Sequence, residues 1–427
     1  MKEDIHTDAA AFAEEAAGGE SAKERWLSGL RAEVAGLRER DLYRELRPHV
    51  GRLDFSSNDY LSLNSSGRLR EFLREVLASD DRTALVGSTG SRLIRGHHDA
   101  FARAEAKFAR YVGAPAALLF HSGYGANTGV LPAVIAPRDL VFCDRLCHAS
   151  LLDGIRLSGA RRYYFRHNDL EDLERQLRKY ANGDAGASAG DGESAVAGDR
   201  KNKASRRRVW IITEAVFSMD GDSPDLRALC DLAERAEFGA CVYLDEAHSI
   251  GMTGENGAGL AAEQGVANRI AVNVFPCGKA PGLMGAFVCG APELKELLVN
   301  RARSFIFSTA QPPHLADLLS CVIDWLQTDE ARAARERSRR LADELRNKLK
   351  ALGFDTGTST THIVPIITGG EAQALSLAAR CREAGLDVRA IRPPTVPKGA
   401  SRLRVILQAD HKSVDLDELV AVISRDA

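Results

Sequence analysis

Excess charge of either sign is missing from this chain: 57 Lys and Arg stand against 59 Asp and Glu, a formal balance of −2 over 427 residues. General nucleic-acid and membrane-surface binders concentrate positive charge, so neither class fits. One pocket for a small anionic or phosphorylated ligand would not show in that total. Long apolar runs are absent too, and none approaches the roughly 18 residues that span a bilayer. The first residues, MKEDIHTDAAAFAEEAAGGE, are acidic and lack the basic and apolar stretches of a signal peptide, so a cytoplasmic location is expected. Cysteine is sparse, eight in all, and only Cys143 and Cys147 sit at a ligand-like spacing. With no second pair beside them, buried free thiols and no metal site are expected.

What is present is an ordinary globular composition, 44% hydrophobic and 27% charged, and a length that predicts two or three domains. Residues 1–22 mix Ala, Glu and Gly and read as a frayed terminus. Leu27, Leu30, Val34, Leu37, Leu42 and Leu46 recur at helical spacing, which predicts one or two amphipathic helices over Trp26–Arg47, stopped by Pro48 and Gly51. The apolar runs AALLF, DLVFCD, RRYYF, RVWIIT, ACVYLDE and IAVNVF then alternate with helical segments such as Ala102–Val112, Ser150–Leu157 and Leu226–Glu237. That rhythm predicts an α/β fold with a large, mainly parallel sheet covered on both faces. Ala181–Ser205, with Val196 as its only branched apolar residue, reads as a flexible surface insertion. After Pro312–Pro313 a helical stretch over Leu315–Leu349 leads to THIVPIIT, DVRAI and RLRVIL, with a helix over Glu371–Ala384, a smaller α+β unit. The expected division is therefore an N-terminal extension over 1–54, a large domain over 55–310 and a small C-terminal domain over 311–427.

Three places carry chemistry. ACVYLDEAHS puts Asp245 and His248 at the carboxyl end of a strand, where α/β sheets meet their ligands. DEAH also occurs in nucleic-acid-dependent ATPases, but the GxxxxGK[ST] phosphate loop they need is absent. In HSGYGANTG, Gly123, Tyr124 and Gly125 follow a strand and open a helix, a turn whose free N–H groups suit a phosphate. The spacing is GxGxxxG, which makes a dinucleotide site weak and leaves a plain structural turn as the alternative. Lys279 lies in FPCGKAPGLMG among Gly278, Gly282 and Gly285, where a desolvated lysine suits Schiff-base chemistry and a solvated loop residue is the alternative. A lysine for the imine, a carboxylate for a pyridine nitrogen and a helix N-terminus for a phosphate are together what pyridoxal 5'-phosphate requires.

At these residues the chain resembles the α-oxoamine synthases, a family of fold-type I pyridoxal-phosphate enzymes. The blocks LDFSSNDYL, SGYGAN, DRLCHASLLDG, TEAVFSMDGD, YLDEAHSIG, GKA and RPPTVPKG follow the family's order, from about Leu37 to Ile423. The resemblance implies that Lys279 forms the imine and moves the Cα proton, that Asp245 partners the pyridine nitrogen, and that His148 stacks on the cofactor face. By the same resemblance His248 and Ser218 lie near the ring hydroxyl, Glu214 lies beside the site, and Gly123 and Tyr124 give backbone contacts. Ser308 and Thr309 would contact phosphate from the second subunit, which implies a homodimer with shared sites. Arg47, Asn58, Thr395 and Arg404 would contact substrate together with His148, Arg404 gripping the amino-acid carboxylate. RPPTVP resembles the branch that joins L-alanine to a pimeloyl thioester, of coenzyme A or of acyl carrier protein, in biotin biosynthesis. Siblings using glycine or serine, and a catalytically silent homologue acting as a binding subunit, are the alternatives. One departure stands out: three residues before the imine lysine the family usually has Thr, whose hydroxyl contacts the phosphate, and here stands Pro276, which can donate no hydrogen bond.

Overall fold

The structure, a computed structural model, describes residues 21–40, 42–46, 51–78, 86–181 and 207–426. Arg47, nearly all of the expected frayed terminus and the expected insertion beyond Ala181 lie outside the described residues. The chain divides into two compact units, Met1–Val50 and Gly51–Ala427. The first contains the helix Ala22–Glu39, opened by a capping box in which Ser21 accepts the Glu24 N–H and Glu24 accepts the Ser21 N–H. The helix predicted to reach Arg47 thus stops earlier, and residues 42–46 are irregular.

The second unit contains twelve strands among its described residues. They are β1 (Leu53–Asp54), β2 (Ala116–Phe120), β3 (Leu140–Asp144), β4 (Arg161–Phe165), β5 (Val209–Glu214), β6 (Ala240–Asp245), β7 (Val272–Pro276), β8 (Ala286–Gly290), β9 (Ile363–Gly369), β10 (Leu386–Asp387), β11 (Arg389–Ile391) and β12 (Ser401–Ile406). Seven form the large sheet, in the order β2-β8-β7-β6-β5-β3-β4. Only β8 runs against its neighbours. It is the one strand of this sheet that the alternation of strands and helices does not predict, because it returns from the Lys279 loop with no intervening helix.

Side-chain alternation distributes each strand between the two faces. In β7, Val272 and Val274 join the apolar cluster beneath helices Gly123–Val134 and Ala149–Ser158. Phe275 points the other way, into the cluster with Phe101, Phe108 and Leu319. The sheet is therefore buried on both sides, as its near-continuous apolar strands require. The cysteines are free thiols, and Cys143 and Cys147 are buried in the same core. No helix among the described residues is long and apolar enough to cross a membrane.

The stretch Leu315–Leu349 proves to be two helices, Pro313–Leu326 and Asp329–Ala351, broken where the Thr328 hydroxyl caps the second by accepting the Ala331 N–H. The second helix packs with Glu371–Glu383 and Ser413–Ile423 around an antiparallel sheet ordered β11-β12-β9. Leu53 and Asp54 pair in parallel with Leu386 and Asp387, so the chain enters the second unit along these C-terminal elements.

The turn Phe217–Asp222 joins this sheet to the large one. The Gly221 carbonyl accepts the Thr360 and Thr361 N–H groups at 3.0 and 3.2 Å. Gly221 has φ +68°, and a Cβ on it would lie 2.1 Å from the Ile363 carbonyl oxygen. Gly221→Ala is expected to lower stability by more than the ~1–3 kcal/mol of a strained backbone alone, read as a lower urea midpoint; an unchanged midpoint would contradict so close an approach.

Candidate active site

The carboxyl ends of β2, β3, β5, β6 and β7 deliver one cluster of polar groups. Asp245 closes β6 and is 4% exposed. A buried carboxylate needs donors, and it has two: Ala247 N–H at 3.0 Å and Asn127 Nδ2 at 2.8 Å. Asn127 lies one turn inside the helix Gly123–Val134, and its orientation is fixed because the Tyr243 hydroxyl donates to its Oδ1 at 2.8 Å. Its amide also donates to Ser150 Oγ at 2.9 Å. That leaves the Ser150 hydroxyl to donate to His148 Nδ1 at 2.8 Å, where the Ser150 N–H also donates. His148 therefore carries its proton on Nε2.

Glu214 and Asp245 are register partners at the ends of β5 and β6. Burial pushes the Glu214 carboxyl up to about 8, and the neighbouring Asp245 charge adds to this; the His148 backbone N–H, donating to Glu214, only partly opposes it. Lys279 follows β7 in a tight turn closed by the Gly282 N–H on the Lys279 carbonyl at 2.7 Å. Gly282 has φ +70°, the conformation that favours glycine. Burial pushes the Lys279 amine below its ordinary range, against the pull of Asp245 and Glu214.

A second set of groups faces the cluster from β12 and the Asn58–Tyr60 segment. Arg404 is 9% exposed; its Nε donates to the Ser218 carbonyl at 2.6 Å and its Nη2 to Asn58 Oδ1 at 3.1 Å. Both acceptors are neutral, and no described carboxylate pairs with this guanidinium. The buried Tyr60 hydroxyl bridges Asn58 and His248, lying 3.0 Å from Asn58 Oδ1 and 2.5 Å from His248 Nδ1. Burial pushes the Tyr60 phenol up to about 12 and holds the His248 imidazole well below its usual value. His362 packs on Tyr60 from behind, ring centroids 4.0 Å apart.

The structure thus brings together Lys279, Asp245, Glu214, His148, His248, Asn58, Arg404 and the Ser218 backbone. Gly123 and Tyr124 open their helix, and the Ser122 hydroxyl caps only the Gly125 N–H, at 3.0 Å. The N–H groups of Gly123 and Tyr124 have no intrahelical acceptor. Gly123 is required here because a Cβ would lie 2.7 Å from Pro276 Cγ. Thr395 is exposed on the loop before β12, outside the hydrogen-bonded cluster. Ser308 and Thr309 lie on the loop after helix Arg303–Ile306, also outside it. Asn127 and Tyr60 escaped the sequence reading, although both stand inside quoted blocks, SGYGAN and LDFSSNDYL; their partners are distant in the chain, so no local spacing marks them.

The donor set fits pyridoxal phosphate: a buried lysine amine, a buried carboxylate with fixed donors, and free N–H groups at a helix start. Comparison with known proteins agrees. Residues 51–423 match the family model for aminotransferase class I and II. A putative 8-amino-7-oxononanoate synthase of Geobacillus kaustophilus is 42% identical over 375 residues, 87% of this chain and 88% of that protein. The 8-amino-7-oxononanoate synthase of Geobacter sulfurreducens is 39% identical over 405 residues, 92% and 96% of the two chains. Among solved structures, the serine palmitoyltransferase of S. paucimobilis with bound PLP–myriocin aldimine superposes with TM-score 0.78 at 25% identity, covering 95% of this chain and 98% of that one. An 8-amino-7-oxononanoate synthase from Francisella tularensis gives 0.68 at 26% identity, covering 88% and 97%.

Glu214 makes the apoprotein pH-sensitive. Its folded pKa lies above its ordinary value of 4.5, so its contribution is fully present below about 4.5 and is lost as pH rises through about 8. Thermal midpoints of the apoprotein should fall across that window, and Glu214→Gln should flatten the fall while keeping an acceptor for the His148 N–H. Equal slopes in the two proteins would show that Glu214 is ionised throughout.

Proposed function

The chain belongs to the aminotransferase class I and II family, within the α-oxoamine synthases, and from that premise we propose that it carries out the 8-amino-7-oxononanoate synthase reaction. L-alanine condenses with a pimeloyl thioester, of coenzyme A or acyl carrier protein, giving 8-amino-7-oxononanoate, CO2 and free thiol. The observation that carries the amino-acid half is Arg404, a buried guanidinium whose protein acceptors are both neutral, leaving its charge for a carboxylate ligand. The acyl half rests on RPPTVP and on the relatives that share nearly the whole length of the chain.

The family's cofactor is pyridoxal phosphate, which when bound supplies an electron sink for negative charge at the amino acid's Cα. Asp245 would hold its ring nitrogen, Gly123 and Tyr124 its phosphate, His148 its face, His248 and Ser218 its hydroxyl, with Glu214 alongside. The chain's own groups do the rest. Arg404 and Asn58 fix the substrate carboxylate and thereby orient the Cα–H bond. Lys279, its amine held neutral more readily by burial, takes the Cα proton and later returns one. His148 offers Nε2–H to the incoming thioester side. Arg47 and Thr395 are further substrate contacts in this reading, and Ser308 and Thr309 reach the phosphate of the partner subunit's site in a homodimer.

Purified protein supplied with L-alanine and pimeloyl-CoA should release CO2 and the oxononanoate. Lys279→Ala should remain folded but lose both turnover and the visible absorbance near ~420 nm expected of lysine-linked cofactor. Product from glycine with acetyl-CoA, or from serine with palmitoyl-CoA, in place of the alanine reaction would assign the chain to a sibling activity; the similarity to serine palmitoyltransferase makes the latter the sharper control.

Pro276 ends β7 with its ring against Gly123, which in this reading is the phosphate end of the site. It donates nothing there, and a hydrogen bond to a charged group is worth about 1.5–3 kcal/mol. Pyridoxal phosphate should leave on dialysis, and Pro276→Thr should slow that loss by roughly tenfold. Identical cofactor affinity in the two proteins would mean that another donor fills the gap.

A further inference from the structure

Beyond the cofactor groups, one histidine is clamped between two carboxylates. His167 follows β4, and its Nδ1 lies 3.0 and 3.2 Å from the oxygens of Asp144. Its Nε2 lies 3.0 and 3.3 Å from those of Asp222. Carboxylates only accept, so both ring nitrogens donate and the ring is an imidazolium. Asp144 ends β3 and is fully buried, while Asp222 closes the turn that follows β5. The other side chains in hydrogen-bond or ring contact with the clamp are neutral. Asn168 donates its N–H to Asp144 and its amide to Asp222, Thr358 donates its hydroxyl to Asp222, and Phe217 meets the ring edge-on. Burial by itself would lower the imidazole's pKa, but hydrogen bonds to the two carboxylates push it up to about 10, so the charge persists at neutral pH.

The clamp leads to the substrate side of the site. Asp222 is one end of the Phe217–Asp222 turn, closed by Phe217 N–H to the Asp222 carbonyl at 3.0 Å and Gly221 N–H to the Phe217 carbonyl at 2.8 Å. The carbonyls of this turn are what the arginines of β12 grip: Arg404 Nε takes Ser218, and Arg402 Nη1 takes Met219 and the Asp220 carboxylate. The other acceptor for Arg404 is Asn58, on a separate segment. If the turn is released, the guanidinium keeps one neutral anchor and loses its fixed orientation.

We propose that His167 is a positioning residue for amino-acid recognition: by bridging Asp144 and Asp222 it fixes the turn whose Ser218 carbonyl aims Arg404 at the substrate carboxylate. The proposal rests on the reading of Arg404 given above. It predicts a loss confined to ligands that carry a carboxylate, which general loosening of the fold would not produce.

The test uses the holoenzyme, titrated spectroscopically with L-alanine and with ethylamine, the same amine without its carboxylate. In His167→Gln, alanine affinity should fall about tenfold, with ethylamine affinity held within about twofold, both titrations being run at saturating cofactor. Asp222→Asn keeps its acceptor for Thr358 but removes the charge; it should show the same selective loss, and it serves if His167→Gln does not fold. Parallel losses for both ligands, or none for either, would overturn the proposal. Arg404→Lys separates the two layers. A selective alanine loss there without one in the His167 and Asp222 variants defeats the clamp alone. Unchanged alanine binding in Arg404→Lys defeats the reading of Arg404 and the clamp with it.

Discussion

Desolvation of charge at the carboxyl ends of a covered sheet is the constraint that organises this molecule. Asp245, Glu214 and Lys279 all sit where strands buried on both faces run out, and each has been taken largely from water. A carboxylate in that position is tolerable only with fixed donors. The Tyr243–Asn127–Asp245 chain supplies them from a strand and a helix that were already packed together. For Glu214, burial and the Asp245 charge outweigh the His148 N–H and the Lys279 charge, and the carboxyl is pushed up to about 8. Lys279 yields the other way, burial favouring its neutral amine.

The rest of the second unit serves to keep those groups still. Helix Gly123–Val134 does three things at once: it buries Val130 and Leu131 in the core, presents free N–H groups at its start and carries Asn127 inside its first turns. Small residues make this possible, since Gly123 lies against Pro276 and Gly129 against Ser304. The C-terminal sheet contributes by a different route. It brings the buried Arg402 and Arg404 of β12 up to the Phe217–Asp222 turn, where the Met219 and Ser218 carbonyls accept from them. Arg402 is paired with the Asp220 carboxylate, whereas Arg404 meets two neutral acceptors and no described carboxylate.

Much of this was legible in the chain. Apolar strands alternating with helices announce a parallel sheet because a strand covered on both faces must be apolar throughout, and β2 and β4 fall where AALLF and RRYYF predict them. Strand β8 was not legible as a sheet member, since its antiparallel return depends on the glycine turn after Lys279 and not on periodicity. The break at Gln327–Thr328 was hidden because a continuous helical pattern on both sides masks a single capping hydroxyl. Lys279, Asp245, His248 and the Gly123 turn could be singled out from residue type, context and family likeness.

What the sequence by itself determined is the layered architecture and which candidate groups stand at its strand ends and helix starts, because those are local consequences of pattern. What only tertiary structure decided is which groups are satisfied and which are left to act. Asn127 on Asp245, Tyr60 between Asn58 and His248, Pro276 against Gly123 and Arg404 on Asn58 and Ser218 each join residues far apart in the chain. A hydrogen bond or a desolvated charge depends on distances of a few ångströms between such segments, and those distances exist only once the core has packed.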